Sequence, residues 1–439
     1  MNQQSTLRMH LTGFMLYCPA PHMIMSWVYP EERMTSGRWY EAGYWTDIAQ
    51  TLERGCFDMF FFADGWAGGT NRASKQYAIQ FPTHDPVELV PYLAAKTDKL
   101  GFAVTMSTSF YAPYMLARKL STLDHITGGR IGWNIVSSLS TGEARNFGLE
   151  SLPEHDERYD RADEYMECVY ALWDSWDPDA MVMDGKRGVF AEPDKIRKID
   201  FNGRWYKCQG PLTVIPSPQG RPYLFQAGSS NRGLQFAATH AECVFAAAAG
   251  VQQMRGLEND LKSRMDNLGR NPDDAKILWG AQPLVAPTEQ EARDRNREIR
   301  ARIPLDAKLA LVGGHFNVDL SQYDIDTPVS RLSMDVQGTR GMLETYTKSN
   351  PAITLRQIAD SYLSGSDDSP MVGTPNQVAD YLIHLLEEGG GTGFQITPSY
   401  YAPHYYADLV EHLIPVLQKR GVLRTEYHGN TLRDYMNSW

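Results

Sequence analysis

Gly128-Gly129-Arg130-Ile131-Gly132-Trp133-Asn134-Ile135-Val136-Ser137-Ser138 is the stretch whose reading decides the fold. The run before it, residues 115–126, has helical periodicity, and a glycine just past the last periodic position is a helix stop. Ile131–Val136 then has the length and β-branched character of a buried strand. Asn134, Ser137 and Ser138 fall at or near its C-terminal end. In a parallel α/β barrel that end is where chemistry gathers.

The same alternation continues on both sides. Strands are expected at residues 9–16, 57–62, 100–105, 131–136, 223–226, 241–246, 277–285 and 393–397. Helices are expected at 45–53, 87–97, 115–126, 159–173, 232–240, 254–268, 289–302, 374–388 and 406–420. Strands alternating with helices predict a parallel sheet, and eight such units predict an α/β (β/α)8 TIM barrel. Thr374 and Pro375 form a cap and first turn for their helix. Two stretches break the pattern: the proline-rich residues 176–222, and 305–370, which reads as irregular. The expectation is one barrel domain over residues 1–439 with insertions at these two places.

Composition narrows the function. The 439 residues are 42% apolar, 22% charged and 11% aromatic, which suits a large core with an apolar pocket. A net charge of −11 argues against a non-specific nucleic-acid binder, which needs basic patches for phosphates. No stretch reaches the roughly 18 apolar residues of a membrane span, and the first ten residues carry no apolar signal region. A cytoplasmic protein is expected, with no membrane and no nucleic-acid partner. The five cysteines are widely spaced and form no CxxC pair, and the eleven histidines form no HExxH, so neither disulfides nor a metal centre is expected.

Polar residues gather where the buried strands end. Phe62-Ala63-Asp64-Gly65 follows the second strand, Thr105-Met106-Ser107-Thr108 the third, and Asn134 with Ser137-Ser138 the fourth. In a barrel these ends converge on one mouth. Ala227-Gly228-Ser229-Ser230 precedes a helix, and small residues at a helix N-terminus make a phosphate cradle. It is not a Walker A loop, and no GxGxxG follows a strand. His155 and Tyr159 lie four apart and can share one helix face. Cys18 follows the first strand; it reads either as a buried small apolar residue or as a thiolate, which needs a base nearby. Met15, Met23, Met25 and Trp27 around it read as an adaptable apolar lining or as plain core.

Together these segments resemble the bacterial-luciferase-like flavin-dependent monooxygenases. The closest branch is that of the nitrilotriacetate, dibenzothiophene-sulfone and long-chain alkane monooxygenases. The resemblance runs through Phe62–Gly65, Leu123-Asp124-His125, Gly128–Ser138, His155–Glu164, Ser217–Pro222, Gln226–Ser230 and Val372-Gly373-Thr374-Pro375. It implies reduced FMN (FMNH2) supplied by a separate NAD(P)H:flavin reductase. It also implies O2 activation through a flavin C4a-(hydro)peroxide, a small-molecule substrate, and a homodimer or homotetramer. It puts Asp64, Asn134 and Ser137 at the flavin, with His155, Tyr159, Ser229 and Ser230 at its ring edge or phosphate and Thr105 or Ser107 joining them. Catalytic roles fall on Cys18 and Asn134. Cys18 matches a functional cysteine of the alkane branch, yet Leu139 replaces that branch's histidine. Glu143–Gly148 and the tail from Arg424 to Asp434 look like the sulfone branch. A small apolar, aromatic or organosulfur substrate is expected. Two other readings stay open: a flavin-binding barrel without turnover, and an F420-dependent oxidoreductase on the same fold.

Overall fold

The computed structural model describes residues 7–19, 27, 38–69, 71–228, 230–248, 250–316, 318–334, 336, 343, 346–347, 350–361 and 369–439. Eight strands form a closed, all-parallel barrel: β1 His10–Leu16, β2 Met59–Ala63, β3 Gly101–Ser107, β4 Ile131–Val136, β5 Tyr223–Ala227, β6 Cys243–Ala246, β7 Lys276–Ala281 and β8 Gly393–Ile396. They follow chain order around the barrel, and β8 returns to β1 through the pairs His10↔Gly393 and Thr12↔Gln395. The (β/α)8 expectation holds, and β4 has the expected bounds. Gly128 at φ +65° and Gly129 at φ +85° end the helix Pro113–Thr127 in the left-handed region open to glycine.

Each strand buries both faces, as parallel barrel strands must. Outward residues pack under the helices: Trp133 is fully buried, donates from Nε1 to the Met106 carbonyl at 3.0 Å, and lies against Tyr165 of the helix His155–Trp173. Inward residues form a separate cluster that includes Phe14, Met59, Phe61, Phe225 and Leu278. Alternate strands of an eight-stranded barrel share a layer of lumen side chains. With the observed register, Phe61, Asn134, Phe245 and Gln395 stand in one layer, and Phe14, Thr105, Ala227 and Gly280 in the layer above it.

The lower end of the barrel is closed. The helix Leu432–Ser438 sends Leu432 and Met436, both fully buried, into the lumen cluster, and the Leu432 N–H donates to the Gly129 carbonyl at 2.9 Å. Beside it Arg424 meets Asp58 at 2.7 Å, with both side chains nearly inaccessible. Asp58 also accepts from the Leu11 N–H at 2.9 Å and lies 3.1 Å from His10 Nδ1. Burial pushes the Asp58 carboxyl up, but Arg424 and His10 outweigh it and hold it below the usual range.

Two expectations change, and one insertion gains detail. The strand expected at 277–285 stops at Ala281, because Pro283 offers no N–H to continue the ladder; Leu284–Val285 pairs instead with Val372–Gly373. Residues 305–370 are not irregular throughout. They contain the helices Leu305–Phe316 and Leu355–Ser361, which share an apolar cluster built on Val312, Phe316, Leu355 and Ile358. Residues 176–222 hold two small antiparallel hairpins. Among the described residues no helix is long and apolar enough to cross a membrane.

Breaking a buried ion pair leaves an uncompensated charge, whereas replacing both partners by apolar groups does not. Arg424→Ala should therefore lower unfolding free energy by about 3–5 kcal/mol in a urea titration. The Asp58→Leu, Arg424→Met double variant should lose much less; equal losses would show that the pair is not the source.

Candidate functional site

The open end of the barrel collects the polar residues. Thr105 and Asn134 are register partners on β3 and β4. Asn134 Nδ2 donates to Thr105 Oγ1 at 2.8 Å, and that hydroxyl donates to the Phe62 carbonyl at 2.9 Å. The chain fixes the Asn134 rotamer and leaves its buried Oδ1 without a hydrogen-bond partner. Higher up, Ser107 Oγ at the end of β3 lies 2.9 Å from Ser138 Oγ in the loop after β4. Ser138 has φ +61°, a left-handed conformation that a non-glycine residue keeps only where its surroundings enforce it. Ser109 Oγ holds the neighbouring Ser137 carbonyl at 2.8 Å.

Asp64 ends β2 on the adjacent side. It accepts from the Gly65 N–H at 2.9 Å and from Trp66 Nε1 at 3.2 Å. Burial first, then the Asp85 carboxylate, push its pKa up to about 7 against those two donors. A cleft of about 340 Å³ opens here, lined by residues that include Asp64, Trp66, Phe81, His84, Asp85 and Asn146. Beside it, Glu143 ties the loop after β2 to the loop after β4. One oxygen accepts from the Trp66 N–H at 3.1 Å, and the other from the Leu139 and Ser140 N–H groups at 3.3 and 3.2 Å.

A second group lies where the helices His155–Trp173 and Asn231–His240 meet. Ser230 caps the latter by accepting from the Gly233 N–H at 3.0 Å, and His155 Nε2 lies 3.4 Å from the same hydroxyl. Tyr159 stands over the helix start, with its hydroxyl 3.5 Å from Gln226 Nε2 and the Arg232 guanidinium 5.5 Å from its ring centre. Burial raises the Tyr159 phenol, while Arg158 and Arg232 draw it down. Arg232 is itself neutralised by Asp160 at 2.9 Å and by Asp163. A Cβ on Gly233 would stand 2.9 Å from the Tyr159 hydroxyl, and one on Gly228 3.4 Å from it. Glycine at 233 keeps the helix start clear of the Tyr159 and Ser230 hydroxyls.

Comparison with known proteins explains the layout. The sequence matches the family described as Luciferase-like monooxygenase over residues 23–393. The chain belongs to the luciferase-like monooxygenases. It is 37% identical to the dibenzothiophene-sulfone monooxygenase of Rhodococcus erythropolis (strain XP), covering 98% of this chain and 96% of that one. It is 36% identical to the long-chain alkane monooxygenase of Geobacillus thermodenitrificans (strain NG80-2), with 98% and 94% covered. Among solved structures, a riboflavin lyase with modified FMN and riboflavin superposes with a TM-score of 0.87 at 32% identity, covering 98% and 96%. The family is one of flavin-dependent monooxygenases, and this luciferase-like barrel is an enzyme of that kind.

The residues singled out in the sequence fall into three places in the luciferase-like barrel. Asp64, Thr105, Ser107, Asn134 and Ser137 surround the mouth at β2–β4. His155, Tyr159 and Ser230 meet at the neighbouring helix start; Ser229 and residues 20–26 lie outside the described residues. Cys18 is apart from both, fully buried with the lumen-facing Phe14 and Leu16 above β1. Glu143 was missed as a site residue, although Ser140-x-x-Glu143 is a capping-box pattern and the box forms.

Asp64 gives a stability signature. Its raised folded pKa means that the folded state holds a proton that the unfolded chain has lost, so stability falls as pH rises from about 4 to about 7 and is level above. In thermal melts, the Tm advantage of Asp64→Asn over the parent should grow across that window and then stay constant. An advantage that is flat from pH 4 to 8 would place the carboxyl's pKa in the ordinary range.

Proposed function

We propose that this enzyme binds FMNH2 delivered by a separate NAD(P)H:flavin reductase and uses O2 to oxygenate a small apolar, aromatic or organosulfur substrate. The observation that carries the reading is the glycine-lined N-terminus of the helix Asn231–His240. It offers an anion the positive end of a helix, with His155, Tyr159 and Ser230 around it. That arrangement fits the phosphate of FMN. The unpartnered Asn134 Oδ1 suits an N–H of the flavin ring, and Asp64 at the mouth suits a proton shared with it near neutral pH. Reduced FMN, when bound, supplies the two electrons that let one atom of O2 enter the product while the other leaves as water.

The chain's own part is to hold, orient and keep dry. His155, Tyr159 and Ser230 bind the phosphate. Thr105 fixes the Asn134 amide so that its oxygen meets the ring without reorganisation. Phe14, Phe61 and Phe245, with ring centres 5.6 and 5.8 Å apart along the set, exclude water from the lumen beneath. Cys18, buried among apolar residues, is read as part of the substrate side, and Leu139, exposed at the rim, as part of substrate entry. A homodimer or homotetramer is in keeping with this reading.

Two measurements test it. In anaerobic titrations, Tyr159→Phe and Ser230→Ala should each weaken FMNH2 binding by about ten-fold, as the loss of one charge-assisted hydrogen bond does. Unchanged affinity in both removes the phosphate assignment. With FMN, NADH, a flavin reductase and 18O2, aryl sulfones, alkanes and aromatics should yield a product carrying one labelled atom. FMN binding with no labelled product from any class would favour a flavin-binding barrel without turnover.

A further inference from the structure

Gln395 is the one residue of β8 whose side chain brings an amide into the lumen. It is 1% exposed, and neither Oε1 nor Nε2 has a hydrogen-bond partner. Its register partner on β1, Thr12, also carries a buried hydroxyl without a partner. Across the same layer stands Asn134 with its unpartnered Oδ1, on β4, half the barrel away. A buried donor or acceptor left unmade is costly, and a Leu or Met would fill the space without that cost. Three such groups facing one lumen mark a place where a ligand completes them.

The position of Gln395 points to the substrate. The groups assigned to the flavin lie on β2–β5 and the two helices beside them, so β8 faces them from the opposite wall. In the layer directly above, the strands flanking β8 carry Gly280, which is exposed, and Phe14, and in Gln395's own layer Phe245 is partly exposed. The mouth therefore reaches down to the layer that holds the amide.

The surroundings define the chemistry. None of the lumen positions in this layer, or in the layers directly above and below it, carries a charge. Phe14, Phe61 and Phe245 supply aromatic walls. A carboxylate here would be buried without a counter-charge, while a neutral oxygen would be satisfied by one amide N–H.

We propose that Gln395 is a substrate-binding residue, its amide donating to an uncharged oxygen on an otherwise aromatic substrate. The proposal rests on the monooxygenase reading above and specifies its substrate. The site is built to hydrogen-bond, so it rejects the analogue that lacks the oxygen.

The test compares dibenzothiophene sulfone with dibenzothiophene, by equilibrium titration of the FMN-loaded protein without reductant. The parent protein should prefer the sulfone by about ten-fold, the worth of one net hydrogen bond. Gln395→Leu should lose that preference, bind dibenzothiophene at least as tightly, and keep its FMN affinity. Gln395→Met, equal in length and unbranched, repeats the measurement if the leucine variant folds poorly. A sulfone preference that survives in the variants overturns the proposal, as does a parent protein with no preference. A matching loss of FMN affinity also overturns it, by moving Gln395 to the flavin. Failure of the monooxygenase reading would appear separately, as absent labelled product with these binding results intact.

Discussion

The barrel closes because residue 393 has no side chain. A Cβ at Gly393 would fall 2.0 Å from the His10 carbonyl oxygen, so β8 could not approach β1. Gly101 and Gly132 make room at the same end: a Cβ would meet Leu432 at 2.7 Å from the first and the Phe225 ring at 2.6 Å from the second. These absences let Phe225, Tyr223 and the C-terminal helix fill the floor. With the floor solid and held by Arg424 and Asp58, the lumen opens at one end only. The lumen is consequently reached from the strand C-termini.

Polarity is graded along the barrel axis. The ion pair and His10 occupy the floor, where charge is compensated and sealed. The middle layers are aromatic and aliphatic, interrupted by the neutral amides of Asn134 and Gln395. Carboxylates return at the rim in Asp64, Asp85 and Glu143. Glu143 is committed to three backbone N–H groups and acts as a strut between the loops after β2 and β4. Asp64, between burial and Asp85, is the rim group poised to change charge near neutrality. A neutral pocket beneath a titrating rim suits a reaction that must exclude water and still hold a proton.

The relatives match this chain over nearly its whole length but are named for substrates as different as a diaryl sulfone and a long-chain alkane. In the reading proposed above, the flavin lies against β2–β5 and the substrate against the facing wall. Here the facing wall is β8 and the end of β1, with Gln395, Thr12 and Cys18. Asn134, by contrast, is held in one orientation by a hydrogen-bond chain running through Thr105 to the backbone of β2.

Much was legible in the sequence because it is local. Glycine at 128 and 129 ends a helix by its own backbone freedom, largely apolar runs of five or six residues make buried strands, and Thr374 with Gln377 closes a capping box within four residues. The eight-fold count, the polar strand ends and the cradle before residue 232 follow from these signals. Other features depend on residues far apart in the chain. Pro283 splits a run that looked continuous, because only the ladder reveals the missing N–H. The apolar positions of 305–370 look scattered until two helices bring Val312 beside Ile358. The sequence by itself determined the fold class, the family and the end of the barrel where chemistry occurs. Only the tertiary structure decided that Arg424 seals the floor against Asp58 and that Gln395 faces Asn134 across one layer. Those contacts span hundreds of residues and are set by barrel register, which no local pattern encodes.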